Sequence, residues 1–161
     1  MMPNRCGLAL LLLLGSLWPA LALQRDEEEP GWVGFVEGIE SCIAGKTPLL
    51  THGYDCIGRF SHACLNHSEN QTTISMERCY PDEYRAWDVM LNRYFRERPK
   101  GALGDELQQI QRTWITYSDR KCGYFQLHYA GGLMARWLGA QCLADTTDRR
   151  AIELRFFAQD R

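Results

Sequence analysis

The chain has 161 residues and a formal net charge of −2 at pH 7, with 18 Lys and Arg residues against 20 Asp and Glu residues. This slightly acidic balance argues against general nucleic-acid binding. The length predicts one domain with a modest core, and no segment reaches the roughly 20 apolar residues that a membrane-spanning helix requires.

Residues 1–22 predict a secretory signal peptide. Arg5 precedes an apolar run from Leu8 to Leu14, and the small-x-small sequence from Ala20 to Ala22 is typical of a cleavage site. Cleavage there removes Arg5 and Cys6, so that 17 basic residues remain against 20 acidic ones. We therefore expect an exported protein, periplasmic or secreted, without a stable membrane anchor.

The mature chain is expected to begin with a charged tail and to continue as one domain. An acidic run from Asp26 to Glu29 follows the predicted cleavage site, and charged segments with few apolar residues usually stay solvated. We assign residues 23–38 to a flexible acidic segment and residues 39–161 to a single helical domain.

The cysteines predict a disulfide framework. Six remain after cleavage, and an even number in an exported chain indicates three bridges. No CxxC motif is present, which argues against zinc ligation, and we expect neither a metal nor a cofactor. The six are Cys42, Cys56, Cys64, Cys79, Cys122 and Cys142.

Residues 31–75 are rich in Gly, Ser, Thr, Asn and His, which predicts a loop-rich part held by disulfides, with one short helix around Asp55 to Leu65. A longer helix is predicted to begin at Pro81, with Asp82 and Glu83 in its first turn, and to end before Pro99. Its apolar stripe consists of Tyr84, Trp87, Leu91 and Tyr94.

A second long helix carries an apolar stripe of Leu103, Leu107, Ile110, Trp114 and Tyr117. The short connection between the two predicts an antiparallel hairpin. After Gly131-Gly132 we expect a third helix over 133–143 and a fourth from Asp148, capped by Thr146 or Thr147. The fold class is therefore mainly α, a small bundle of a helical hairpin plus two shorter helices, with a loop-rich, disulfide-stapled N-terminal part.

The hairpin also bears on disulfide pairing. Cys79 and Cys122 lie at nearly equal distances from the turn near residue 100, so antiparallel helices would bring them together. We favour a Cys79–Cys122 bridge, with Cys122–Cys142 across the Gly-Gly turn as the main alternative.

No catalytic constellation emerges from the sequence. His52, His62 and His67 lack an HExxH arrangement. Ser41 and Ser61 lack a GxSxG elbow, and cysteines in bridges cannot act as thiolate nucleophiles. We therefore expect a binding module rather than an enzyme.

Two groups of motif residues stand in a recognisable order. The first group, in the first long helix, is Met76-Glu77-x-Cys79, Trp87-Asp88 and Leu91-Asn92-x-Tyr94. The second is Trp114-Ile115-x-Tyr117-x-Asp119-x-x-Cys122, Gly131-Gly132, and Cys142-Leu143 with Thr146 and Arg149 before Leu154. Over about Cys64 to Leu154, this order resembles the lysozyme-inhibitor-like LprI family of exported bacterial proteins.

The resemblance implies a periplasmic or secreted helical module whose partner is a lysozyme-type glycosidase. We interpret the polar motif residues as structural: Asp88 and Asn92 as a hydrogen-bonded pair, and Asp119 as a helix-end or inter-helix contact to Arg149 or Arg150. For the partner we expect Arg96, Arg98 and Lys100, in an exposed loop, to present cations to the enzyme's carboxylates. The alternative is a structural or envelope-stress protein without inhibitory activity.

Overall fold

The computed structural model describes residues 32–159, and the prediction of a mainly α fold is confirmed over this range. Two short 3₁₀ turns, Gly53–Cys56 and Ser68–Asn70, connect the helices of the N-terminal part. The α-helices are α1 (Trp32–Ala44), α2 (Leu49–His52), α3 (Arg59–Leu65), α4 (Thr73–Arg96), α5 (Ala102–His128) and α6 (Leu133–Gln159).

The N-terminal part is more helical than expected. Residues 32–38 form the first turns of α1, and Val36 is buried there against the core. The expectation of a flexible segment through residue 38 is therefore wrong for 32–38. Residues 23–31 and the predicted signal peptide at 1–22 lie outside the described residues.

Helix α4 begins two turns earlier than the sequence predicted. Thr72 caps it, because the Thr72 hydroxyl accepts from the Ser75 N–H at 3.2 Å while the Ser75 hydroxyl accepts from the Thr72 N–H at 3.1 Å. Pro81 consequently lies inside the helix. The expected start at Pro81 is wrong, since this reciprocal cap satisfies the first donors of the helix upstream.

Helix α6 is continuous where two shorter helices were expected. The Thr146 hydroxyl donates to the carbonyl of Cys142 at 2.6 Å, one turn back along the same helix, and so does not act as an N-cap. The neighbouring Ala144, Ala151 and Ile152 are buried. Burial along its length keeps the helix intact through the Thr-Thr-Asp sequence that otherwise favours a break.

The two helices of the hairpin do not pack closely on each other. Helix α6 lies against both α4 and α5, while α4 and α5 share few direct contacts. The main core lies between α1, α4 and α6. Its fully buried side chains include Ile39, Ile43, Trp87, Met90, Ile152 and Leu154.

The position of α6 also sets the disulfides. The bridges join Cys42 to Cys56, Cys64 to Cys79 and Cys122 to Cys142. The favoured Cys79–Cys122 pairing is wrong and its stated alternative, Cys122–Cys142, is confirmed. Cys142 of α6 reaches Cys122 because α6, rather than α4, is the close neighbour of α5.

The buried face of α5 differs from its predicted stripe. Gly104, Leu107, Gln111, Ser118 and Cys122 are the buried residues of this helix. Of the predicted stripe, Leu107 is buried and Trp114 packs half-buried against the core, but its other members are exposed. Those are Leu103, Ile110 and Tyr117. Within the described range, no helix is both long and apolar enough to cross a membrane.

Candidate protein-binding site

The turn between α4 and α5 places the three predicted cations in two different settings. Arg96 and Lys100 are exposed. Arg98 is half-buried, with its Nη1 donating to the Phe95 carbonyl at 2.9 Å and its guanidinium 4.2 Å from the centroid of the Phe95 ring. The turn therefore presents two exposed cations, while the third stabilises the end of α4.

Two glycines shape this turn. Gly101 has φ +70°, a left-handed conformation that side chains other than glycine rarely adopt. A Cβ at Gly104 would lie 2.1 Å from the carbonyl oxygen of Pro99, so the chain can close this tightly only at a glycine. The tight turn holds Lys100 at the corner of the molecule.

A mainly apolar groove of about 360 Å³ lies beside the turn, between the start of α5 and the end of α6. Glu106 and Arg150 are its two charged residues. The groove is otherwise lined by Pro99, Leu103, Leu107, Ile110 and Phe157.

Arg150 is largely sequestered in the wall of this groove, with 5% of its surface exposed. Its Nε donates to Gln111 Oε1 at 2.7 Å and its Nη1 to Glu153 Oε2 at 2.9 Å, while its Nη2 has no acceptor among the described residues. A buried donor without a partner costs free energy, so an incoming acceptor oxygen would find a favourable contact here.

The motif residues of α4 lie mainly in the core. Trp87, Leu91 and Tyr94 are buried, and Arg155 donates to the Tyr94 hydroxyl at 3.0 Å. Asn92 donates to the Asp88 carboxylate at 3.1 Å and to the Asp88 carbonyl at 2.8 Å. These contacts hold one face of α4 in place rather than forming an open site.

The motif residues of α5 and α6 are spread over two faces. Tyr117 and Asp119 are exposed, and Asp119 borders a second groove, crossed by a 2.9 Å ion pair between Glu77 and Arg136. The guanidinium of Arg149 lies 5.4 Å from the Tyr54 ring centroid. In the described part of the chain neither Arg149 nor Arg150 pairs with Asp119.

The Gly131-Gly132 motif and Thr146 lie at the same end of the bundle as the Cys122–Cys142 bridge. Gly131 has φ +73° and its N–H donates to the Gln126 carbonyl at 3.0 Å, which closes the turn that also contains Gly132. The Thr146 hydroxyl lies 3.8 Å from Cys122 Sγ. This end of the bundle is fixed by covalent and backbone contacts.

A buried acidic cluster was not predicted from the sequence. Glu83 and Asp148 are each 1% exposed. Burial, followed by the neighbouring charge of Asp145, raises the pKa of Asp148 to about 8. Helical periodicity places polar residues toward solvent, so nothing in the spacing of these acids could have revealed their burial.

The histidines between residues 32 and 159 do not gather into a metal site. His52, His62 and His67 are exposed. No group of His, Cys, Asp or Glu residues in that range could hold a metal ion. We take as the candidate site the corner formed by the predicted cations Arg96 and Lys100 and the adjoining apolar groove.

Comparison with known proteins adds one family and one relative. A family model described as lysozyme inhibitor LprI matches residues 64–154, from the last turn of α3 through most of α6. An uncharacterized protein of Rhizobium meliloti (strain 1021) is 32% identical, over 48% of this chain and 67% of its own length. No solved structure matches.

Proposed function

The chain belongs to the family of the lysozyme inhibitor LprI, and from this premise we propose that it is an exported protein that binds and inhibits a lysozyme-type glycosidase. The family match is the observation that carries the proposal. The matched residues include α4, α5, most of α6 and two of the three disulfides, and therefore the whole α4–α5 corner.

The corner has the features that a cleft-blocking surface requires. A lysozyme-type cleft works with two carboxyl groups that flank the scissile bond. Arg96 and Lys100 are exposed cations separated by one tight turn, and they would meet those carboxyl groups with opposite charge. The apolar groove beside them would take a side chain of the enzyme and exclude water around the contact.

The arrangement also explains why only two of the three cations are assigned to the partner. Arg98 is engaged with the carbonyl and the ring of Phe95. Its role in the proposal is to keep the turn rigid, so that less conformational entropy is lost when Arg96 and Lys100 are immobilised on binding.

The test is a cell-wall lysis assay with the purified, fully oxidised mature protein and chicken-type, goose-type and invertebrate-type lysozymes. We expect inhibition of at least one class, and a weaker effect as salt rises, because screening reduces the attraction between opposite charges. The double variant Arg96→Ala/Lys100→Ala should lose most of the inhibition. Arg112→Ala, which removes an exposed cation elsewhere on α5, is the matched control.

Two outcomes would contradict the proposal. Full inhibition by the double variant would move the contact away from the corner. A folded, fully bridged protein that inhibits none of the three lysozyme classes would favour the structural or envelope role and leave the family likeness as evidence of fold.

A further inference from the structure

Helix α5 carries an exposed apolar stripe that no other part of the described chain covers. We call Leu103, Ile110, Tyr117 and Tyr124 the α5 stripe. Their exposed fractions are 75%, 45%, 58% and 58%. Single exposed apolar residues are ordinary, but four at regular intervals on one side of a 27-residue helix are suited to an interaction with a partner.

The spacing indicates that the missing partner is a helix. Members of the stripe recur every seven residues, which is the interval that keeps one line of side chains facing a neighbouring helix. The buried residues of α5 face α6 and lie roughly a quarter turn around the helix from the stripe. A second helix can therefore pack along the stripe without displacing α6.

The stripe complements an antiparallel copy of itself. Leu103 and Tyr124 are equally distant from the midpoint between Thr113 and Trp114, and so are Ile110 and Tyr117. A two-fold axis at that midpoint would place an aliphatic residue opposite a tyrosine at each of these positions.

The charges beside the stripe are arranged about nearly the same centre, half a residue from the midpoint of the stripe. Glu106 and Arg120 lie seven residues before and seven after Thr113, and helical geometry puts both on the flank of the stripe farther from α6. In an antiparallel pair, equivalent flanks meet. Glu106 of one copy would thus lie beside Arg120 of the other, twice per dimer, with opposite charges in contact.

We propose that a second copy of this chain covers the α5 stripe, forming a two-fold symmetric dimer through an antiparallel pair of α5 helices centred near Thr113. The proposal does not depend on lysozyme inhibition. Within the dimer, Arg96 and Lys100 precede the paired helices and stay outside the contact, so each copy would keep both exposed cations. Leu103 and Ile110 also line the apolar groove beside the turn, so the second copy would cover that part of the corner.

Sedimentation velocity of the oxidised mature protein over a range of concentrations tests the dimer. We expect a concentration-dependent dimer for the wild type and a monomer for Tyr117→Glu.

The charge pair is tested by reversal. Glu106→Arg and Arg120→Glu should each raise the Kd of the dimer about tenfold or more, since each brings like charges together. The double variant should recover affinity. Arg112→Glu, a charge reversal on the opposite side of α5, is the matched control and should dimerise normally.

Circular dichroism and a count of free thiols would establish that each variant is folded. A wild-type protein that stays monomeric at every concentration would overturn the proposal, as would single charge reversals that the double variant fails to rescue. A monomer whose Tyr117→Glu variant loses lysozyme inhibition would also overturn it, because the stripe would then be the contact for the enzyme.

Discussion

The buried carboxylate of Glu83 in α4 accepts a hydrogen bond from the backbone N–H of Ser61 at 2.7 Å, and so caps the N-terminus of α3. The same carboxylate accepts from the Gly58 N–H at 2.8 Å and from the indole N–H of Trp87 at 3.3 Å. Gly58, the residue at the cap position of α3, has no side chain that could do this. One charged group thus joins α3, α4 and the core tryptophan.

Replacing Glu83 should therefore destabilise the fold strongly. We expect Glu83→Ala to lower the free energy of unfolding by about 3 kcal/mol, because several buried N–H donors lose a charged acceptor. Glu83→Gln keeps one acceptor oxygen and should cost less. Asp82→Ala, next in the chain but in a surface ion pair with Arg85, should change stability by less than about 1 kcal/mol. Urea denaturation measures all three, and equal effects at positions 82 and 83 would contradict the capping role.

Asp148 should make the protein less stable as the pH rises toward and above neutrality. Its pKa is about 8 in the fold against 3.8 for an aspartate in a solvated chain, so between these values the native state holds a proton that the unfolded chain lacks. Its contribution is fully present below pH 3.8 and is lost as the pH rises through 8, with a maximum slope of about 1.4 kcal/mol per pH unit.

The variant Asp148→Asn should remove this part of the pH dependence while keeping a carbonyl oxygen for the Arg149 N–H, its partner in the fold. Thermal unfolding at several pH values between about 5 and about 8 measures how stability depends on pH in each variant. Asp105→Asn, on the exposed surface of α5, is the control. Parallel stability profiles for wild type and Asp148→Asn would show that Asp148 does not carry the effect.

Peptide mapping under non-reducing conditions should recover the pairs Cys42–Cys56, Cys64–Cys79 and Cys122–Cys142. Replacing both Cys122 and Cys142 with Ala should cost about 3 kcal/mol, because the unfolded chain regains the freedom of the loop between them. Denaturant unfolding gives the value. A recovered peptide that links Cys79 to Cys122 would contradict the packing of α6 against both long helices.

The two central tryptophans should differ in their contribution to stability. Trp87 is fully buried, and Trp87→Ala is expected to cost about 3–5 kcal/mol. Trp114 is only half-buried at the edge of the core, so Trp114→Ala should cost roughly half as much. Chemical denaturation of both variants, with tyrosine fluorescence or circular dichroism as the probe, makes the comparison. Similar losses would mean that Trp114 is more deeply packed than its exposure indicates.

Sequence patterns predicted the helical class and the burial of Trp87, Leu91 and Tyr94, because α4 has one apolar face that packs on the core. The same reasoning gave the wrong face for α5. There, long-range packing against α6 buries small and polar residues such as Ser118 and Gln111 and leaves Tyr117 exposed. A single helix's periodicity contains no information about which neighbour it will meet.

The site was predictable only in part for the same reason. A loop with three cations between two helices was visible in the sequence, but the apolar spacing did not show that Arg98 contacts Phe95, three residues before it. The groove that Phe157 lines depends on the packing of α6 against α5. The boundary of α4 was missed because the Thr72–Ser75 cap lacks the acidic residue usual at the third position, while Pro81 resembled a helix start.

The six cysteines between residues 32 and 159 are bonded in consecutive pairs along the chain, across separations of 14, 15 and 20 residues. In a chain that crosses a membrane N-terminus first, every bridge can close as soon as its second cysteine emerges, before the next pair arrives. If the chain is exported as proposed, oxidation in order of emergence yields the native set, and we expect maturation to depend on a thiol oxidase and hardly at all on a disulfide isomerase.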